Sequence, residues 1–80
     1  LLFLGDGTTD FQLELCRETN RTEPYHLGDD THHLALRAQD FDALKAKHRA
    51  LGLIFDELNG GIYFIKDPDG HILEILPPKQ

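Results

Sequence analysis

The sequence predicts an α+β fold, and three observations carry that expectation. Six short stretches read as strands, either by two-residue alternation or as brief apolar runs. One run, residues 41–51, spaces its apolar side chains with helical period instead. Asp67-Pro68-Asp69-Gly70 stands between the last two strand-like stretches. There Pro presets φ, Gly supplies a left-handed position and Asp can bond back to the backbone, as a hairpin turn requires.

Residues 1–4 form a short apolar strand, and residues 5–10 are a turn cluster rich in Gly, Asp and Thr. Residues 11–16 alternate, with Phe11, Leu13 and Leu15 on one face and Gln12, Glu14 and Cys16 on the other. These two strands should pair as an antiparallel hairpin. Residues 17–31 are polar and carry Pro24 and Gly28. That length of connector suits a crossing between two units. Residues 32–37 are the next strand, with Leu34 and Leu36 on one face and His33, Ala35 and Arg37 on the other.

Asp40 is placed as the N-cap of the helix, whose stripe runs Phe41, Leu44, His48 and Leu51. His48 should be a half-covered histidine at the edge of that stripe. Gly52 is the expected stop. Residues 53–56 are a strand, Asn59-Gly60-Gly61 a turn that favours positive φ, and residues 62–65 and 71–76 the closing hairpin. Pro77-Pro78 ends the last strand. From residue 32 onward the order is β-α-β-β-β. A β-α-β segment ahead of residue 1 would make the first two strands the end of a similar unit. The expected organisation is therefore residues 1–31, the closing strands of a first module plus connector, and residues 32–80, a complete βαβββ module spanning 32–76. With no Met and a strand at its start, the sequence is expected to be the C-terminal part of a longer polypeptide.

Composition narrows the function. An 80-residue chain makes one small domain at most, and such domains lean on metals, disulfides or oligomerisation. A single cysteine, Cys16, excludes an internal disulfide and fits a reducing, cytoplasmic setting. It is expected to be a structural residue. Net charge of -6 argues against a nucleic-acid surface. No apolar stretch is long enough for a membrane span.

Three carboxylate or imidazole side chains occupy matching positions on three strands. Glu74 shares a face with Ile72 and Leu76, where an unpaired, desolvated carboxylate costs several kcal/mol. Glu14 and His33 likewise lie opposite the apolar faces of their strands. If those apolar faces all pack on helices, Glu14, His33 and Glu74 line the concave face of one curved sheet. An imidazole and two carboxylates are a plausible ligand set for a divalent ion such as Ni, Zn, Mn or Fe.

The block from Phe64 to Ile75, with Asp67-Pro68-Asp69-Gly70 and Glu74, resembles the closing hairpin of the glyoxalase I / vicinal-oxygen-chelate superfamily. Leu4-Gly5-Asp6-Gly7, Leu13-Glu14-Leu15, Pro24-Tyr25-His26-Leu27-Gly28 and His33-Leu34-Ala35-Leu36 resemble the glyoxalase I branch, in the same order. The resemblance implies paired βαβββ modules curled around a metal, with Ni or Zn favoured. It places metal ligands at Glu14, His33 and Glu74, with a further His on a strand absent here. It implies a homodimer with a shared site and a glutathione hemithioacetal of methylglyoxal as substrate, isomerised to S-lactoylglutathione. Glu74 would be the catalytic base and Glu14 its counterpart. Other activities of the superfamily (thiol transfer, epimerisation, ring cleavage) and a non-catalytic binding protein remain open alternatives. The chain departs from the family pattern at His32 and at Cys16-Arg17-Glu18-Thr19-Asn20, where Glu18 would repel a glutathione carboxylate. Arg17 or Arg21 could offset it, although linker arginines are usually only solvated charge.

Overall fold

A computed structural model describes residues 2–29 and 32–79. Leu1 of the first predicted strand, and Asp30 and Thr31 of the connector, lie outside the described residues. The fold is mixed α+β, with two sheets and one helix among the described residues. Strands β1 (Leu2–Gly5) and β2 (Gln12–Leu15) form an antiparallel hairpin. Strand β3 (His33–Arg37), helix α1 (Phe41–Ala50) and strands β4 (Asp56–Glu57), β5 (Tyr63–Lys66) and β6 (Ile72–Leu76) follow. The second sheet is ordered β3-β6-β5-β4, with β3 parallel to β6 and the other pairs antiparallel. The β-α-β-β-β order expected from residue 32 is present.

The closing hairpin is held at its turn by one carboxylate. Asp67 Oδ1 accepts the backbone N–H of Asp69 at 2.9 Å and of His71 at 2.8 Å. The Asp67 N–H donates to His71 O at 2.9 Å, which closes the ladder, and Gly70 turns the chain at φ 93. Register follows: Tyr63 pairs with Ile75, Phe64 with Glu74 and Ile65 with Leu73. Tyr63, Ile65 and Ile75 therefore share the face that α1 covers, and they are the buried core, with Phe41, Leu44, Ala38 and Ile54 packed on them.

Helix α1 is tied to that core through Tyr63. The ring is fully buried, and its hydroxyl lies 2.8 Å from His48 Nδ1. Phe41 packs against the same ring at 5.7 Å. Burial alone pushes the Tyr63 hydroxyl pKa up. His48 is half-buried, as its stripe-edge position predicts. At the far end the Gly52 N–H donates to Arg49 O and the Leu53 N–H to His48 O, both at 3.0 Å. This is the paired bond pattern of a glycine-stopped helix.

Three local expectations are corrected. Asp40 is the N-cap residue but makes no side-chain cap bond; only its carbonyl serves, accepting the Leu44 N–H at 3.0 Å. Leu51 leaves the apolar stripe and is exposed, because the helix ends at Ala50 and Leu51 is its C-cap. The strand expected over residues 53–56 is shorter and starts later, at Asp56–Glu57. The helix-stop bonds hold Gly52 and Leu53, so cross-strand contact begins only at the Phe55 N–H, which donates to Phe64 O at 3.1 Å.

The connector is more ordered than a solvated linker. Arg21 stacks on Tyr25 at 4.3 Å and donates to Glu23 O and Pro24 O. The Tyr25 hydroxyl in turn accepts the Glu18 N–H at 2.9 Å. Arg21 is thus a loop staple, a role its composition-based reading missed.

Replacing Tyr63 with Phe removes the His48 bond and should lower the unfolding free energy by about 0.5–1.5 kcal/mol, read from denaturant midpoints. In the first hairpin, Asp6 accepts the N–H groups of Thr9 and Thr8, and these bonds hold its pKa at about 2. Its folded value lies below the unfolded aspartate value of about 3.9, so its contribution is present above that pH and is lost as pH falls through the folded value. A carboxyl NMR titration of Asp6 with an ordinary midpoint would contradict this.

Candidate functional site

The face of the four-stranded sheet away from α1 carries the predicted chemistry. By register it presents His33, Ala35 and Arg37 from β3, Phe64 and Lys66 from β5, and Ile72, Glu74 and Leu76 from β6. Because β3 runs parallel to β6 with His33 opposite Ile72 and Ala35 opposite Glu74, His33 and Glu74 are diagonal neighbours. Their side chains meet: His33 Nε2 lies 2.8 Å from Glu74 Oε1. The Glu74 side chain is 18% exposed and that of His33 36%. Phe64, directly opposite Glu74, sets its ring edge-on to the imidazole at 5.9 Å and 84°. The pair is thus fixed on three strands, half shielded from water and open on one side.

Glu14 stands elsewhere. It lies on β2, in the two-stranded sheet, so the expected single curved sheet is two separate sheets in this chain. Glu14 Oε1 accepts the thiol of Cys16 at 3.1 Å. Cys16 is exposed, not buried as a structural cysteine would be. The hydrogen bond to Glu14 is the main cause that pushes its pKa up, with desolvation and the carboxylate charge adding to it. An open groove of about 1430 Å³ runs between the two sheets, and Glu14 and His33 both line it together with Leu13, Leu15, Tyr25 and Ile72. Among the described residues, no three His, Cys, Asp or Glu side chains are grouped closely enough to hold a metal ion. The structure therefore brings together His33 and Glu74, and leaves Glu14 outside their contact.

The pair itself suits a metal. Two ligand atoms each bound at about 2.0–2.2 Å to one tetrahedral ion lie roughly 3.4 Å apart. The observed 2.8 Å separation requires only a small opening to admit an ion between an imidazole nitrogen and a carboxylate oxygen. Two donors do not close a site, so further ligands must come from outside this pair.

Comparison with known proteins gives one informative likeness. The chain is similar to a probable lactoylglutathione lyase of Vibrio parahaemolyticus. The two are 34% identical over 83 aligned residues, which cover 95% of this chain and 59% of the relative. The chain thus spans about three fifths of the length of the curated relative it matches. No family model matches the chain, and no solved structure does. The likeness gives partial support to the glyoxalase I resemblance carried by the motifs, and the mixed α+β architecture is compatible with it.

Two contributors escaped the sequence reading. Phe64 was placed only within the closing hairpin, and its parity puts it beside Glu74 and away from Tyr63 and Ile65. Alternation put Cys16 on the Glu14 face, but their hydrogen bond was not foreseen. Glu14→Gln removes the anionic acceptor, so the Cys16 pKa should fall and alkylation of the thiol near pH 8 should accelerate. An unchanged alkylation rate would show that Glu14 does not hold the thiol proton.

Proposed function

We propose that this chain forms part of a metal-dependent isomerase of the glyoxalase I type, acting on the hemithioacetal of methylglyoxal and glutathione to give S-lactoylglutathione. The observation that carries this reading is the contact between His33 Nε2 and Glu74 Oε1 on the open sheet face. Likeness to a relative named as a probable lactoylglutathione lyase supports the substrate class. His33 and Glu74 would be two ligands of a divalent ion such as Ni or Zn, and Glu14, which lies outside their contact within one chain, would be a third brought in where a second copy completes the site. Such an ion would supply Lewis-acid polarisation of the substrate.

Glu74 takes a proton from one carbon and returns it to its neighbour, as a positioned carboxylate can. His33 stays fixed, because Phe64 packs on its ring and limits rotation. Glu14 serves the same role from the other side. The two hairpins support that symmetry: Phe3 faces Glu14 across β1–β2 as Phe64 faces Glu74 across β5–β6. On this reading, residues 1–31 close a first module, residues 32–80 form the second, and a second copy of the chain completes the site in a homodimer.

Glu18 bears on the choice of thiol. Its side chain is 70% exposed and only 3.8 Å from Arg21 Nη1, an arrangement that leaves most of its charge in solvent. Parallel assays with glutathione and a neutral thiol decide whether it discriminates.

In the full-length protein, Glu74→Gln should lower turnover of the methylglyoxal–glutathione adduct by about 10²–10⁴-fold while metal stays bound. His33→Ala should lower metal content as well. Chelation should abolish turnover, and Ni or Zn should restore it. Wild-type turnover in Glu74→Gln would remove Glu74 from the mechanism.

A further inference from the structure

We infer that Asn59-Gly60 is a site of spontaneous covalent modification, independent of the reading above. The turn Asn59–Gly61 joins β4 to β5, and both Asn59 and Gly60 are exposed. Gly60 sits at φ 87, and no heavy atom lies within 4 Å of where its Cβ would be. The Asn59 amide has no side-chain hydrogen-bond partner among the described residues, and the Gly60 N–H makes no loop bond among them. Nucleophile and electrophile are therefore adjacent, unbonded and uncrowded, on backbone whose accessible conformations glycine widens.

The chemistry balances without any oxidant. The Gly60 backbone nitrogen bonds to the Asn59 side-chain carbonyl carbon, the carbon–NH2 bond breaks, and ammonia leaves with the proton that Gly60 gives up. Solvent water then adds across one of the two carbon–nitrogen bonds of the cyclic imide. Opening on one side gives aspartate, and opening on the other gives isoaspartate, whose main chain runs through the former side chain.

The turn makes that extra backbone atom consequential. The Leu58 N–H donates to Ile62 O at 2.7 Å, and Lys45 Nζ from α1 donates to Gly61 O at 2.8 Å. Lengthening the chain between Leu58 and Ile62 strains both bonds. It thereby loosens the clamp between α1 and the start of β5, the strand that carries Tyr63 and Phe64.

Asn20, the other asparagine, is an internal control. The residue after it, Arg21, has a Cβ, donates its N–H to Glu18 O at 3.1 Å and has its side chain stacked on Tyr25. Its nitrogen is engaged and its loop is stapled.

The test holds the full-length protein at warm, mildly alkaline pH and follows both asparagine peptides by mass spectrometry with chromatographic separation of isoaspartate. Conversion at Asn59 should outpace conversion at Asn20, since only Asn59 precedes a residue with no Cβ to crowd or restrict it. The aged protein should also melt earlier than fresh protein, whereas aged Asn59→Gln should not. An Asn59 peptide that keeps its amide, or an Asn20 peptide that converts as fast, overturns the assignment. Equal loss of stability in aged Asn59→Gln overturns its link to the Lys45 clamp.

Discussion

The pairing of β5 with β6 is the constraint on which the rest of this structure depends. A strand's faces alternate residue by residue, so a slip of one position would send every side chain to the opposite side. Asp67 prevents that slip by holding the N–H groups of Asp69 and His71 with one oxygen. With register set, Tyr63, Ile65 and Ile75 go to the helix and form the buried core. Phe64 and Glu74 go to the other face by the same rule. Core and candidate site are therefore two sides of one hairpin, and a lesion in its turn would damage both.

The first hairpin repeats that arrangement with less support. Asp6 takes the place of Asp67 and binds the turn N–H groups of Thr8 and Thr9. Leu2 pairs with Leu15 as Tyr63 pairs with Ile75, and Leu4 with Leu13 as Ile65 with Leu73. No helix among the described residues covers that apolar face, and Leu2, Leu4 and Leu15 are exposed. The two hairpins differ in what packs on them rather than in how they are built. Glu14 accordingly meets Cys16, its strand neighbour, while Glu74 meets an imidazole from another strand.

Much of this was legible in the sequence. Asp67-Pro68-Asp69-Gly70 announced the turn, and alternation assigned Leu73 and Ile75 to one face and Glu74 to the other. The same parity separated His33 from Leu34 and Leu36. Reading failed at three local details. Asp40 is the N-cap but caps through its carbonyl and not its side chain. Strand pairing begins late because the helix stop holds Gly52 and Leu53. Arg21 looked like linker charge until Tyr25, four residues on, supplied a ring for it to stack against.

The sequence by itself determined sidedness: which residues of each strand share a face, and where the chain must turn. It could do so because side-chain alternation and left-handed glycine turns are local properties of the backbone. Only the tertiary structure decided which of those residues touch. His33 reaches Glu74 because β3 lies parallel to β6 in one register, a pairing made across 41 residues of chain. Glu14 shares their parity yet lies in another sheet, since facing the same way says nothing about distance until strands are joined by hydrogen bonds.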